Sequence, residues 1–368
     1  MEVAVFGAGI AGLMTAIALR RNGHNCRIFE RSRQAHEAGM GFILVPEGIA
    51  RMEAMGVQLK GVPLERFFYR NSSGEILHDQ QMPLGARSIR RRDLSTSLLE
   101  ALPNGTTITF DAELDRLEFD RQGRVTHAVL SSGESVRADL YVSADGSRSR
   151  ARHMLFPGWS APLARVPELV GLVRCLQTLR WAGHDFNKFH SESGGVALGV
   201  LRVDGEHVVW YLQFDSKRFP LPPAAMVSDG IAAAQARRSF ATQLVGDWAD
   251  PIPHLLEGTD FTRVHHWQPV DADLIPRFHQ ENLVLVGDAA HPLSPFTSQG
   301  VSSAIADATT LATEIETDCT VEELPQALDR YSVTRRAQCA PYVTKGRTLM
   351  QNFLQPLARE ERALLPIA

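Results

Sequence analysis

The chain has 368 residues, 44% hydrophobic and 22% charged, enough to bury a large core and more than one domain usually holds, which predicts two interleaved domains. With 38 basic and 42 acidic residues the net charge is −4, which excludes a general electrostatic pull toward nucleic acid or anionic membrane. No apolar run approaches the ~20 residues of a membrane span, and a strand starting at Glu2 leaves no room for a signal peptide, so a cytoplasmic location is expected.

In chain order, EVAVFGAGIAG runs a strand into Gly7, Gly9 and Gly12, and LMTAIALRRNG continues as a helix closed by Gly23. Gly7 suits the tight turn, Gly9 lets backbone approach a pyrophosphate, and Gly12 lets helix and strand pack closely. The next strand, CRIFE, ends in Glu30, 18 residues after Gly12, where a carboxylate can grip a ribose hydroxyl. These parts complete an adenosine-binding βαβ unit. Around the strand at 41–44, Gly39 and Gly41 fit either a loop pressed against a flat ligand or a plain βα turn. A helix is expected from Glu47 to Met55, then a hairpin in RFFYRNSSGEILH turning at Asn71-Ser72-Ser73-Gly74. The run Arg90-Arg91-Arg92 ordinarily makes a solvated face, but at the start of the helix LSTSLLEALP one arginine can reach a pyrophosphate.

From Thr107 to Val142 the pattern predicts a meander of strands, ending in ADLYVSADG, which runs into Asp145-Gly146. Residues 160–267 change to an antiparallel pattern, with GGVALGVLRV and HVVWYLQFD as its clearest strands. In the second, Val208, Trp210, Leu212 and Phe214 share one face and Val209, Tyr211 and Gln213 the other, and either face can line a pocket. The four apolar residues Leu283 to Val286 then make a strand that stops at Gly287 and Asp288. Beyond Gly300 the spacing of Val301, Ala304, Ile305, Ala308, Leu311, Ala312 and Ile315 is that of one helical face. Strand end, carboxylate and helix N-terminus therefore converge, as at the ligand crevice of an open α/β sheet. Two or three helices are expected after Thr317. The cysteines Cys26, Cys175, Cys319 and Cys339 are scattered without a CxxC pair, which argues against a metal site or redox dithiol and predicts buried free thiols.

Three motifs in this order, GAGIAGL from Gly7, DGSRSRAR from Asp145 and GDAAHPLSPFTSQG from Gly287, resemble the single-component flavoprotein monooxygenases related to para-hydroxybenzoate hydroxylase. The resemblance implies an α/β fold in which a Rossmann-type FAD-binding domain is interleaved with a β-sheet substrate domain and followed by C-terminal helices. On this reading residues 1–66, 90–159 and 268–330 bind FAD, 67–89 and 160–267 cover the flavin, and 331–368 form the helical end. It also implies reduction by NADH or NADPH and hydroxylation of an aromatic or heteroaromatic substrate with O2 through a flavin hydroperoxide, in a monomer or homodimer. Carried over by position, Gly7, Gly9, Ala11 and Gly12 would line the pyrophosphate, Glu30 and Arg31 the adenosine ribose, and Arg91 the phosphates or ribityl chain. Asp145, Gly146 and Arg152 would serve the cofactor and nicotinamide access. Gly287 and Asp288 would meet the ribityl chain, while Pro295, Ser298, Gln299, Gly300 and Val301 would lie along the flavin ring.

The chain has Ser298-Gln299-Gly300 where the family commonly has Gly-Gln-Gly, and Ala306 where an acidic residue usually precedes Asp307. No residue stands out as a general base. His190, Tyr211, Arg174 and Pro295 are candidates for the substrate pocket, and His291 is expected to brace the Asp288 turn. A halogenase is disfavoured because Trp-x-Trp-x-Ile-Pro is absent; a reductase or cyclase on the same fold, or a flavin-holding protein without catalysis, are the alternatives.

Overall fold

Val3, Ala4, Val5 and Phe6 are all buried, as befits the strand Glu2–Phe6 at the centre of a parallel sheet covered on both faces. The computed structural model describes residues 1–34, 41–174, 176–227 and 230–357; Gly39, Met40, Cys175 and residues 358–368 lie outside these. The six-stranded sheet has the order His279–Gln280, Leu283–Leu285, Leu140–Ser143, Glu2–Phe6, Asn25–Phe29, Thr107–Thr109. Its pairs are parallel except at the edge strand His279–Gln280. Parallel register places the C-terminal ends of Glu2–Phe6, Leu140–Ser143 and Leu283–Leu285 side by side. Backbone bonds Ala144 N–H to Phe6 O (2.8 Å) and Val286 N–H to Ser143 O (3.0 Å) hold the three exits together.

Helix Ile10–Arg21 packs on helix Gly300–Glu314, which also meets Pro46–Ala54 and the long helix Leu324–Leu354. The stripe of Ala304, Ile305, Ala308, Leu311 and Ala312 faces inward as its spacing predicts. Within Gly41–Leu44 a side chain at Gly41 would place its Cβ 2.5 Å from a Val203 methyl. Gly41 therefore serves close packing of protein on protein.

A second, seven-stranded sheet has the order His265–Trp267, Glu168–Val173, Val208–Phe214, Val196–Arg202, Asp185–His190, Arg66–Asn71, Ile76–Gln81. The hairpin joins it because Arg66–Asn71 pairs in parallel with Asp185–His190. Val208, Trp210, Leu212 and Phe214 enter a core with Phe240, Val245 and Leu255 of the covering helices. Val209 and Tyr211 turn to the other face, so only that face is left to line a pocket.

Two expectations change. Of the predicted meander, only Leu114–Phe119, Val125–Leu130 and Ser135–Val136 form a separate antiparallel sheet, while Thr107–Thr109 and Leu140–Ser143 enter the parallel one. Alternation describes one strand and carries no information about its partner. Among the described residues after Thr317 there is one helix, the 31-residue Leu324–Leu354, with Pro341 inside it. Buried Leu328, Tyr331, Arg335, Cys339 and Phe353 anchor that helix along its length, and this packing outweighs the amide bond lost at the proline. Cys26 and Cys339 are buried free thiols, Cys319 is half-buried, and no helix among the described residues is long and apolar enough to cross a membrane.

Candidate active site

Three turns leave the parallel strands on one edge and meet below the start of helix Gly300–Glu314. Gly7 has φ +111°, a value that favours glycine, and its N–H donates to Phe29 O at 2.8 Å. A cleft beside this turn is lined by Gly7, Gly9, Glu30, Arg31, Arg91, Asp145 and Gly146, together with Glu113, Arg148 and Arg150. Glu30 accepts the Ala8 N–H at 2.7 Å and the Ser32 N–H at 2.9 Å, so its carboxylate ties the glycine turn to the neighbouring strand end. Nothing lies within 4 Å of a Cβ built on Gly9, Gly146 or Gly300. That open space over backbone is what a pyrophosphate and an isoalloxazine ring require.

Ala11 packs against Gly287, whose built Cβ would fall 2.7 Å from the Ala11 methyl, so the first and third turns touch. Asp145 accepts the Ser143 hydroxyl at 2.5 Å and the Arg150 N–H at 2.7 Å, which starts helix Arg150–Leu155. Arg152 is buried and donates to Asp288 O at 2.8 Å, Ala289 O at 2.9 Å and Ser147 O, with its guanidinium 4.2 Å from the Trp159 ring. It clamps the second turn to the third. Its pKa is lowered by burial, with Asp145 and Asp288 opposing.

Asp288 is exposed, yet its carboxylate is surrounded by protein. This desolvation raises its pKa, against the pull of His291, Arg91 and Arg152. No described residue donates a hydrogen bond to its carboxylate, which leaves it available to a ligand hydroxyl. Arg91, the first residue of helix Arg91–Glu100, is also desolvated, and it feels both Asp288 and Glu30. Burial lowers its pKa, and the two carboxylates oppose that shift.

Ser298 takes a left-handed conformation at φ +52°, the Pro295–Thr297 turn precedes it, and Gln299 caps the helix whose first internal bond is Ser303 N–H to Gln299 O at 2.8 Å. The preceding N–H groups, from Gly300 and Val301, have no carbonyl within the helix. Behind them lies a network absent from the sequence-based expectations. Asp307 accepts Gly287 N–H at 2.6 Å, His291 Nε2–H at 2.7 Å and Arg335 Nε–H at 2.7 Å. All three side chains are almost fully buried. Burial opposes ionisation of Asp307, yet His291 and Arg335 hold its pKa below the ordinary value; Asp307 in turn holds His291 well above its own against burial. An acid inside the apolar stripe between Ala304 and Leu311 was the signal for this network. His291 braces the Asp288 turn through Asp307.

On the second sheet, His190 and Tyr211 lie on the face turned toward Phe296. His190 is buried and stacks on Tyr69 at 4.0 Å, and burial and Lys188 hold its pKa well below the ordinary value. Lys188 lies near the rings of Tyr211 (6.0 Å) and Phe296 (5.4 Å), and burial lowers its pKa to about 8. Glu168, buried and hydrogen-bonded to Gln213 Nε2 at 2.7 Å, is raised by burial to about 7. Pro295 is half-buried beside Phe296. Arg174 is not brought here: it is exposed and paired with Glu206 at 2.9 Å. As a pocket candidate it was expected on a strand of the second sheet, but that strand ends one residue earlier, at Val173. Arg174→Ala is expected to leave flavin content and turnover within about twofold of the parent, since an exposed pair contributes under ~1 kcal/mol; a larger fall in steady-state rate would return it to the site.

A family model described as FAD binding domain matches residues 1–345. An FAD-dependent urate hydroxylase of Klebsiella pneumoniae is 27% identical over 362 residues, covering 94% of this chain and 89% of the relative. The 3-amino-4-hydroxybenzoate 2-monooxygenase PtnB3 of Streptomyces platensis is 30% identical over 335 residues, covering 84% and 78%. The solved structure of Klebsiella pneumoniae HpxO complexed with FAD and uric acid shares the fold, with a TM-score of 0.83 at 23% identity over 96% of this chain and 89% of that one.

Proposed function

The chain belongs to the FAD binding domain family and is an FAD-dependent monooxygenase, and from this we propose that it uses NADH or NADPH and O2 to hydroxylate a planar aromatic or heteroaromatic small molecule held between the two sheets. The observation that carries this reading is the meeting of three turns, Gly7 to Gly9, Asp145-Gly146 and Gly287-Asp288, under the N-terminus of helix Gly300–Glu314. On this reading residues 1–66, 90–159 and 268–330 hold the cofactor, and 67–89 and 160–267 cover its ring.

Bound FAD would supply two-electron reduction by the nicotinamide and activation of O2. The chain's own residues bind and shield. Gly9 leaves its N–H side open to phosphate, Arg91 balances phosphate charge, and Asp288 accepts from a ribityl hydroxyl. The amides that open helix Gly300–Glu314 stabilise negative charge gathered on the pyrimidine side of a reduced ring. Phe296, Tyr69 and Tyr211 keep water from the reacting face, which favours oxygen transfer over loss as peroxide.

Asp288→Ala is expected to weaken FAD binding about 10- to 100-fold, the worth of one hydrogen bond to a charged group, while leaving stability unchanged because no protein donor is lost. Titration of FAD-free protein by flavin fluorescence, beside a thermal melt, checks both halves. The whole reading is tested by oxygen uptake of FAD-loaded protein with each nicotinamide and a panel of phenols, aryl carboxylates and nitrogen heterocycles. A ligand that accelerates uptake and gains one oxygen atom by mass is the expected result. Nicotinamide oxidation without oxygen consumption would instead identify a reductase.

A further inference from the structure

Two registered rows cross the middle of the seven-stranded sheet on the face turned toward Phe296. One carries His190, Ala197, Gln213 and Glu168 on successive strands, and the next carries Lys188, Gly199, Tyr211 and Val170. Directly paired residues share a face, so these side chains point the same way. The strand between them is built small: the Tyr211 ring lies over Gly199, where a Cβ would fall 2.1 Å from it, and Ala197 leaves room under Phe296 and Phe353. Next to this lies a cavity whose walls include Tyr69, Lys188, His190, Phe296 and Phe353.

Three of the polar groups here lack a hydrogen-bond partner. His190 Nε2 and Gln213 Oε1 are buried with no hydrogen bond, and the Lys188 ammonium has no acceptor among the described residues. Glu168 acts on Lys188 only through space, because its hydrogen bond goes to Gln213. Unpaired polar groups cost stability when buried, and a lone ammonium costs most. A core that only needed filling would hold leucine at 188, as its aromatic neighbours would allow. A cation beside an imidazole, walled by rings, is instead complementary to a flat molecule with one negative edge.

Resting on the monooxygenase reading above, we propose that this cavity is the subsite for the carboxylate of an aromatic or heteroaromatic acid, with Lys188 as the residue that sets specificity and His190 as the second contact. The aromatic body lies against Tyr211 and Phe296, which carries it toward the Pro295–Thr297 turn and the flavin edge. Gln213 Oε1 is left to accept from a ring hydroxyl or N–H group.

The test is calorimetric titration of FAD-loaded protein with 4-hydroxybenzoate, 2-naphthoate and quinoline-2-carboxylate, each beside its primary amide, on the parent, Lys188→Met and Lys188→Arg. At least one acid is expected to bind the parent about 10-fold or more tightly than its amide, the worth of one charge-assisted hydrogen bond. The preference disappears in Lys188→Met and persists in Lys188→Arg, which also controls for folding. No acid preference in any pair, or one that survives Lys188→Met, overturns the subsite. Flavin content and nicotinamide oxidation of the same samples keep the two readings apart: a protein that holds FAD and oxidises NAD(P)H without preferring acids loses only the subsite.

Discussion

Asp307→Ala is expected to remove about 3–5 kcal/mol of folding stability and most of the bound flavin, the largest effect of any single side-chain truncation in the site. The carboxylate has no exposure and receives Gly287 N–H, His291 Nε2–H and Arg335 Nε–H at 2.6–2.7 Å. Its loss leaves the Arg335 guanidinium buried with only Ser303 O, Gln338 and the Cys339 sulfur as partners. It also frees the Gly287–Ala289 turn, and with it the direction in which Asp288 points. Because the folded pKa of Asp307 is depressed, its contribution is present above the ordinary carboxylate range and is lost as pH falls through that lowered value. The paired His291 is raised, so its share is present below the ordinary histidine value and lost as pH rises through the folded one. At neutral pH the Asp307 share is therefore fully present, while the His291 share, at a pH already above the ordinary histidine value, is partly lost and falls further as pH rises toward the folded one. Denaturant unfolding of FAD-free protein measures the first effect and the flavin-to-protein absorbance ratio the second. Asp307→Asn keeps shape but not charge and is expected to fall between. A variant within about 1 kcal/mol of the parent would show that the turn is held by its backbone alone.

What the sequence made legible was local. Gly7, Gly9 and Gly12 between a strand and a helix, and Asp145 and Asp288 after apolar runs, are punctuation within short segments, and each lies where its segment predicts. The substrate face was less legible because it is assembled from strands far apart in the chain. In DFNKFH nothing local says whether Lys188 or Asn187 faces the cavity; that follows from pairing Lys188 with Gly199 and Gly199 with Tyr211. Arg174 and Tyr211 were both expected on strands of the second sheet, yet the strand before Arg174 stops at Val173 while that of Tyr211 continues through a buried face. Asp307 was passed over as a neighbour of Ala306 although a carboxylate between Ala304 and Leu311 demanded a buried partner. That partner, Arg335, is 28 residues further on, in a helix whose length Pro341 disguised.

Two glycines of the first turn are expected to separate folding from cofactor binding. A Cβ on Gly12 would stand 1.9 Å from Gly7 O and 3.2 Å from the Ala144 Cβ. Neither neighbour can give way, because Gly7 is pinned by its bond to Phe29 O and its own Cβ would strike Ala144 O at 2.3 Å. Helix Ile10–Arg21 must therefore lift off the sheet and away from helix Gly300–Glu314, so Gly12→Ala is expected to cost about 3 kcal/mol or more and to yield flavin-free or insoluble protein. Gly9 is the opposite case. Its backbone, at φ −74° and ψ −178°, suits any residue, and a Cβ there meets nothing within 4 Å. Gly9→Ala should melt with the parent when both are free of FAD, yet bind FAD about 10-fold or more weakly, because the methyl enters the space kept for phosphate. Equal FAD affinity of parent and Gly9→Ala would move the pyrophosphate away from this turn, and a Gly12→Ala protein with parental stability would mean that helix and sheet can separate without cost.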